Sequence, residues 1–190
     1  MQRLFLIRHG EPQSGWGGAD DDPGLSSEGR AQASLAASDL LRRMPGRVIS
    51  SPLRRCVETA APFVALSGLD PVIDPIFGEV RAPPGVSDRR AWLVENFPWG
   101  KSALPRHWFE VAAELRDWRD AVVDAARALE GDVAVFTHFI ATNAIVGAAL
   151  GRETTIAFIP GYASITELSN DGGVLSVVAL GEEMIAGEVR

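Results

Sequence analysis

The chain has 190 residues, of which 46% are hydrophobic and 23% are charged, and its net charge is −7. This length and this mixture predict one soluble globular domain. The negative charge argues against nucleic acid or an anionic membrane as a partner, and no apolar run reaches the roughly 18 residues of a transmembrane helix. A single cysteine, Cys56, excludes an internal disulfide and a cysteine-rich metal site. Arg8 and His9 interrupt the first apolar run, unlike in a secretory signal, so a cytoplasmic location is expected.

The first half of the chain alternates short apolar runs with longer helical patterns. A strand is predicted over residues 4–8, and it ends directly on Arg8 and His9. A helix over 27–44 follows, because small and apolar residues recur on one of its faces, and then a strand over 47–50. Ser51 and Pro52 predict the next helix start, as a capping serine followed by proline at the first helical position. This helix is predicted to run to about residue 66 and to end near Gly68, before a short strand over 72–74.

The second half begins with a segment that breaks this alternation. Residues 80–105 contain four prolines and three aromatic residues, and we interpret them as a variable insertion over the predicted site. Apolar residues at helical spacing predict a helix over 106–129, which is followed by a strand over 132–137. Another helix follows His138 and runs to residue 150, before Gly151. Strands over 164–168 and 174–180 flank the turn Asn170-Asp171-Gly172-Gly173, which predicts a hairpin.

This order of elements predicts an α/β fold with a single domain over residues 1–190. Strands that alternate with helices form a mostly parallel central sheet with helices on both faces, which is a three-layer sandwich. The C-terminal hairpin adds antiparallel strands at or near one edge of the sheet. Because ligands of such sheets bind outside the carboxyl ends of the strands, the residues that follow the strands are the candidates for a functional site.

Two of the three histidines follow predicted strands. His9 comes after the first strand, beside Arg8, and His138 comes after the strand over 132–137. Arg54 and Arg55 lie in the first turns of a helix that also follows a strand end. Free amide groups at a helix start favour an anion, and guanidinium groups match a tetrahedral oxyanion. Two histidines and at least two arginines at one sheet edge therefore predict a phosphate pocket.

Other chemistries fit these residues less well. Two histidines with Glu11 or Glu79 could bind a metal ion, but arginines directed at a dication would repel it. A thiolate phosphatase needs an arginine six residues after its cysteine, and Pro62 stands six residues after Cys56. The serine-hydrolase motif GxSxG and the nucleotide-binding motif GxxxxGK[ST] are both absent. What remains is histidine as a nucleophile toward phosphorus.

The sequence resembles the histidine phosphatase superfamily, which includes the cofactor-dependent phosphoglycerate mutases. Leu6-Ile7-Arg8-His9-Gly10-Glu11 looks like the RHG signature of that family. Further matches follow in the family's order: Asp22-Pro23, Leu25-Ser26, Gly29, Gln32-Ala33, Ser51-Pro52-Leu53, Arg55 and Thr59-Ala60. His138 stands where the second family histidine follows a core strand. The ordered set is far more specific than the three letters RHG, and it selects Arg55 over Arg54 as the pocket arginine.

The resemblance implies a role for each matched position. His9 would be the phosphorylated nucleophile, while Arg8, Arg55 and His138 would hold the phosphoryl oxygens, with Gly10 and Phe139 beside them. Glu79 stands where the family carries the general acid, and Glu11 is the alternative. The implied enzyme is a metal-independent phosphomonoesterase without a cofactor, which acts through a phosphohistidine on a small phosphorylated metabolite. A phosphomutase and a non-catalytic phospholigand-binding module remain as alternatives, and a homodimer is left open.

The sequence also departs from the family pattern near the predicted pocket. Pro12 and Gly15 replace a hydroxyl residue and an asparagine that the family often has after RHGE, and Phe139 and Ile140 replace glycines. These changes predict a less polar pocket mouth. Three tryptophans, Trp16, Trp92 and Trp99, could lie near this mouth and make it more apolar, in which case a partly apolar substrate is expected. The alternative is that these tryptophans only pack within the protein.

Overall fold

The computed structural model describes residues 2–14, 20, 22–100 and 103–184, so that Gly15 and Trp16 lie outside the described residues. Six strands form one sheet: β1 (Gln2–Arg8), β2 (Arg47–Ser50), β3 (Pro71–Ile73), β4 (Val133–Thr137), β5 (Ile165–Asp171) and β6 (Val174–Ala179). Five α-helices connect or cover them: α1 (Ser27–Arg43), α2 (Arg54–Ser67), α3 (Arg89–Asn96), α4 (Ala113–Arg127) and α5 (Phe139–Ala149).

The sheet has the strand order β3-β2-β4-β1-β5-β6. The first four strands of that order are parallel, because β2 pairs in parallel with β3 and β4, and β4 with β1. β5 runs antiparallel to β1, and β6 returns antiparallel to β5 at the edge. The prediction of a mostly parallel sheet with an antiparallel C-terminal hairpin is therefore confirmed.

Helices cover both faces of the sheet, as predicted. The alternation of β1 shows why, since Phe5 and Ile7 pack in a core cluster with residues of α1 and α2. Leu4 and Leu6 point the other way and join a larger cluster that includes α4 and α5. β4 is buried along its whole length and α5 is buried over most of its residues, so both lie at the centre of the molecule. None of the helices in the described ranges is long and apolar enough to cross a membrane.

Two predicted helix starts are wrong. The helix over 106–129 begins only at Ala113, because the residues before it form backbone bonds with another segment: Trp108 N–H donates to Glu153 and Thr155 N–H donates to Arg106. The helix expected at Ser51-Pro52 begins at Arg54. The Ser51 hydroxyl does accept from the Leu53 N–H at 3.3 Å, but the position before the helix is Leu53, which offers no capping side chain.

The other boundaries lie close to those predicted. α1 starts after Ser26, whose hydroxyl accepts from the Gly29 N–H at 2.9 Å, and α2 ends before Gly68, which has φ of 72°. β5 extends to Asp171, beyond the predicted end at residue 168. Within residues 80–105 the structure forms α3, and the buried side chains Leu93 and Phe97 join the larger core cluster.

Candidate active site

The carboxyl ends of two central strands bring the two histidines together. β1 and β4 are parallel neighbours, with Arg8 opposite Thr137 in the register. The following residues, His9 and His138, leave the sheet side by side, and their ring centroids lie 5.2 Å apart. Both side chains are buried. The sheet itself thus positions the pair that the sequence placed at two strand exits.

The imidazole of His9 is held in one tautomer. Its Nδ1 lies 2.8 Å from the carbonyl oxygen of Gly10, which can only accept a hydrogen bond. Nδ1 therefore carries the proton, and Nε2 keeps its lone pair. The loop is fixed by the Gly10 N–H, which donates to the Thr59 hydroxyl at 2.9 Å, and by close packing, since a Cβ on Gly10 would lie 2.6 Å from the Gly29 carbonyl oxygen.

Arg8 is fully buried and only partly hydrogen-bonded. Its Nη1 donates to the Pro160 carbonyl at 2.7 Å and contacts the Met184 sulfur at 3.0 Å. Nε and Nη2 are buried without a hydrogen-bond partner among the described residues. The guanidinium carbon lies 4.1 Å from the ring centroid of Tyr162 and 5.1 Å from that of Phe139. Arg8 is therefore a rigid cation with N–H donors available for an oxyanion.

The two neighbouring arginines of α2 have different surroundings. Arg55 is buried, and its guanidinium lies 3.7 Å from the carboxylate of Asp22, while its carbonyl accepts from the Thr59 hydroxyl at 2.6 Å. Arg54 instead forms an ion pair with Glu58 at 2.7 Å and is largely exposed. The structure thus directs Arg55 inward with Arg8 and the histidines, and leaves Arg54 on the solvated face of the helix.

His138 is held by contacts with α2 and with the turn that precedes this helix. Its Nε2 lies 2.8 Å from the Ser51 hydroxyl and 3.3 Å from the Cys56 sulfur. Cys56 also donates to the Thr137 carbonyl at 3.3 Å, and burial raises the pKa of its thiol to about 12. Cys56 is therefore a buried, protonated thiol that packs against His138.

Glu79 is the carboxylate buried among these cations. One of its oxygens accepts from the Ile140 N–H at 3.0 Å, at the start of α5, and the other from the Val80 N–H at 3.1 Å. Burial raises the pKa of Glu79, against the lowering effects of these bonds and of Arg55 and Arg8. A raised pKa favours the protonated acid. Glu11 lines a different cavity, between α1 and the loop before β5, whose lining also includes Tyr162 and Met184.

Burial and positive charge together keep both histidines neutral. The pKa of His9 is held well below its usual value by burial, then by Arg55 and Arg8. The pKa of His138 is also well below its usual value. Burial is the largest cause, followed by Arg55, His9 and Arg8, with a further contribution from Arg89 of α3. Burial also lowers the pKa of Arg8 to about 10, which leaves it a cation at neutral pH. The pocket can therefore supply an unprotonated imidazole within a positive field.

The structure places in the pocket some residues that the sequence analysis did not predict. Tyr162 is the one tyrosine of the chain, and its ring lies 6.0 Å from that of His9. It precedes β5, and because β5 is antiparallel to β1, its entry loop lies at the same edge as the exit of β1. That topology is the signal that could have placed Tyr162 and Pro160 in the site. The position of Ser51 before a helix predicts capping, and no sequence pattern predicts its contact with His138.

The aromatic residues that were expected at the pocket mouth lie in two different places. Phe139 is buried, with its ring against Trp99 at 5.7 Å and near Arg8. Trp92 packs on Phe97 at 6.1 Å and lines a separate cavity that Glu79 also lines. Within the described parts of the chain, no group of three or more His, Cys, Asp or Glu side chains is placed to hold a metal ion.

Solved structures resemble this chain over nearly its whole length. A mycobacterial glucosyl-3-phosphoglycerate phosphatase has a TM-score of 0.70 at 23% identity, with 97% of this chain and 100% of that chain covered. Phosphoserine phosphatase of Entamoeba histolytica, in complex with 3-phosphoglyceric acid, has a TM-score of 0.71 at 18% identity, with 97% and 98% covered. At these identities the likeness shows the fold.

Sequence relatives match a shorter part of the chain. A probable phosphatase of Schizosaccharomyces pombe is 28% identical over 138 residues, which are 64% of this chain and 66% of that protein. The chain thus spans just under two thirds of that relative's length. A glucosyl-3-phosphoglycerate phosphatase of Mycolicibacterium vanbaalenii is 38% identical over 77 residues, or 39% of this chain and 34% of that protein. The model of the histidine phosphatase superfamily (branch 1) matches residues 4–183, and the chain belongs to that superfamily.

Proposed function

We propose that the protein is a metal-independent phosphomonoesterase that hydrolyses a small phosphorylated metabolite through a phosphohistidine on His9. One observation carries the proposal: the bond from Nδ1 of His9 to the Gly10 carbonyl leaves the lone pair on Nε2, in the same buried pocket as Arg8. A neutral imidazole beside buried guanidinium donors is what attack on a phosphate dianion requires.

The first half of the reaction transfers the phosphoryl group to the enzyme. Nε2 of His9 attacks phosphorus, and the bond from phosphorus to the ester oxygen breaks on the opposite side. Glu79 donates its proton to the departing oxygen, so that the alcohol leaves uncharged. Arg8, Arg55 and His138 hold the phosphoryl oxygens, and the positive charges offset the negative charge spread over them in the transition state.

The second half reverses these roles with water in place of the alcohol. Glu79, now ionised, accepts a proton from the water as it attacks phosphorus, and the phosphorus–nitrogen bond breaks. Inorganic phosphate leaves, and His9 and Glu79 return to their starting forms. The raised pKa of Glu79 supports this assignment, because an acid with that shift holds its proton closer to neutral pH.

The relatives agree with the proposed reaction class. The S. pombe relative is described as a probable phosphatase, and the M. vanbaalenii relative as a phosphatase of glucosyl-3-phosphoglycerate. The E. histolytica neighbour is described as a phosphoserine phosphatase. We extend only phosphomonoester hydrolysis to this chain, with residues 80–105 proposed as the segment that covers the site.

Trapping the intermediate tests the proposal. After a rapid alkaline quench in detergent during turnover of p-nitrophenyl phosphate, the wild type should carry phosphate that is base-stable and is released by acid, and His9→Ala should carry none and lose nearly all turnover. His107→Ala is the matched control, because His107 stacks on the exposed Phe109 away from the pocket. Substantial turnover by folded His9→Ala would contradict the assignment, and loss of activity in EDTA, restored by Zn²⁺ or Mg²⁺, would favour a metal-assisted reaction instead.

A further inference from the structure

We infer that the cavity beside Glu79, walled by Trp92 and Trp118, receives the leaving group, and that the substrate is the phosphate ester of a bulky, largely apolar alcohol. The inference rests on the proposed function, since a leaving group exists only if the protein breaks a phosphate ester. It goes further by naming the class of alcohol. Neither tryptophan belongs to the set of residues proposed to hold the phosphoryl group.

The position of Glu79 places the leaving group. In an in-line displacement the nucleophile and the departing oxygen lie on opposite sides of phosphorus, so the acid that protonates this oxygen lies on the leaving side. Glu79 lines a cavity of about 740 Å³ and a neighbouring one of about 500 Å³. Both are also lined by Leu53, Arg81 and two prolines. A leaving group that extends past Glu79 therefore enters this space.

The lining of the larger cavity is suited to an apolar group. Trp92 from α3 and Trp118 from α4 face it, together with Val80, Leu115 and four prolines. Both tryptophans are half-buried and packed against the main core, so the walls are attached to two helices. Rigid aromatic and proline walls with few polar groups are typical of sites that bind the hydrophobic part of a ligand.

Size and charge distinguish this ligand from a small phosphorylated acid. A cavity of about 740 Å³ is large enough for a drug-sized ligand, so a three-carbon acid would leave much of it unfilled. Apart from Glu79, its charged lining residues are Arg81 and Glu114, which have opposite signs. A second carboxylate there would lose water without gaining a surplus cation.

The smaller cavity provides the competing possibility. Arg81 and Arg89 both line it, and the Nε of Arg89 is buried without a hydrogen-bond partner among the described residues. A second anionic group of a substrate would bind there, whereas an apolar group would bind between the tryptophans. The two cavities thus predict opposite preferences, which one set of ligands can separate.

Binding of n-alkylphosphonates tests the inference without any turnover, because their carbon–phosphorus bond is not an ester. Calorimetric affinities of the methyl, butyl and hexyl compounds should rise by about three- to fourfold per added methylene, as expected for its burial. Butylphosphonate should bind more tightly than 3-phosphonopropionate, which has a carboxylate at the far end. Trp92→Ala and Trp118→Ala should flatten the rise and leave methylphosphonate affinity unchanged.

Two further variants keep the test decisive if the tryptophan variants fold poorly. Ala112 lines the cavity at an exposed position, so Ala112→Trp should fill it and weaken hexylphosphonate alone. Phe109→Ala removes an aromatic ring that is 71% exposed and does not line this cavity. In this variant the affinity should increase with alkyl chain length as much as in the wild type. A flat dependence on chain length in the wild type, or tighter binding of 3-phosphonopropionate, would overturn the inference.

The same measurements separate this inference from the proposed function. Ethyl phosphate hydrolysis with phosphate trapped on His9, together with a flat phosphonate series, would refute the apolar subsite and leave the phosphatase proposal standing. A steep phosphonate series that depends on Trp92 and Trp118, with no phosphate on His9 in any condition, would support the subsite and refute the phosphohistidine route.

Discussion

At the scale of single residues, the site depends on what surrounds each charged group more than on its identity. His9 and His107 are both histidines, yet His9 is buried beside two arginines and His107 stacks on an exposed phenylalanine. Glu79 and Glu11 are both carboxylates near the strand ends, but Glu79 is the one enclosed with Arg8 and Arg55. Burial in that setting decides which group can act as an acid near neutral pH.

Replacement of Glu79 should therefore affect substrates unequally. Glu79→Gln should slow transfer from an alkyl phosphate by about 10²–10⁴-fold, the usual contribution of general acid catalysis, because an alkoxide leaves poorly without a proton. Transfer from p-nitrophenyl phosphate should slow less, since nitrophenolate leaves readily. Single-turnover rates on both substrates measure the difference. Glu11→Gln is the control, and a dependence on the leaving group that appears in Glu11→Gln instead would move the acid to Glu11.

Tyr162 should act as a positioning residue for Arg8. Its ring lies 4.1 Å from the guanidinium carbon, and a desolvated cation–π contact is worth about 2 kcal/mol. Tyr162→Leu should therefore weaken inhibition by inorganic phosphate by about tenfold or more, whereas Tyr162→Phe, which keeps the ring, should restore most of it. The inhibition constants of the three proteins decide the matter. Equal constants for the Leu and Phe variants would show that the ring does not position Arg8.

Most residues of the candidate site could be predicted from the sequence, and those that could not were missed for physical reasons. Arg8 ends a strand, and His9 and His138 follow strands, so their shared edge follows from a parallel sheet. The motif order supplied Arg55 and Glu79. The structure brings these five together, while their roles stay predictions. Tyr162 was missed because its position follows from strand direction, and Ser51 because a hydroxyl near a helix start fits capping equally well.

At the scale of elements, local patterns failed to predict a helix start where a distant segment forms backbone hydrogen bonds with the same residues. The apolar spacing from Trp108 to Val122 continues the helical period, yet the residues around His107 bridge to Thr154 instead. Trp108 and Val111 are buried as the pattern suggested, but they precede α4. Periodicity therefore identified which side chains face the core and did not identify where the helix begins, since tertiary bonds outweigh propensity.

The contact between the His9 loop and α1 gives a prediction at this scale. Gly29 lies in the first turn of α1, and a Cβ there would overlap the backbone of Glu11, two residues after His9. Gly29→Ala should therefore destabilise the protein by about 1–3 kcal/mol, as overpacking does, and should also reduce turnover of the folded enzyme. Urea unfolding and steady-state rates at a fixed folded fraction measure the two effects.

Gly147→Ala is the matched control for that substitution. Gly147 lies inside α5, and the nearest atom to an added Cβ is 3.8 Å away, so there is room for the methyl group. Alanine should stabilise this helix by about 1 kcal/mol, the usual difference in propensity. If both variants were equally stable, the tight packing of Gly29 on the His9 loop would not be a constraint.

At the scale of the whole molecule, the fold was predictable because its main features are local in sequence. Alternating strands and helices imply the layers, and a turn with two glycines implies the hairpin. The position of the hairpin was less determined. The hairpin pairs with β1 through β5, so the loop from Pro160 to Ser164 lies at the sheet edge that carries Arg8 and His9. Which strand a hairpin joins depends on contacts across the chain that no local pattern contains.

The enclosed site also makes stability depend on pH. The pKa values of His9 and His138 lie well below 6.5 in the folded protein and near 6.5 in the unfolded chain. Above pH 6.5 neither state binds these protons. As the pH falls below 6.5 the unfolded chain takes them up first, so stability is lost, and the loss continues down to the folded pKa values. The raised pKa of Glu79 acts in the opposite direction, because the native state then holds its proton at higher pH than the unfolded chain.

Urea unfolding between pH 7 and pH 5 should therefore show stability that decreases with acid, by at most about 1.4 kcal/mol per pH unit for each of the two histidines. Asp132 and Glu58, whose pKa values are lowered, contribute mainly below this range because their unfolded pKa values lie near 4. His138→Gln should remove about half of the histidine contribution. Glu79→Gln should steepen the decrease, since it removes the opposing carboxylate. A slope that was identical in wild type and His138→Gln would show that His138 titrates in the folded protein as it does in the unfolded chain.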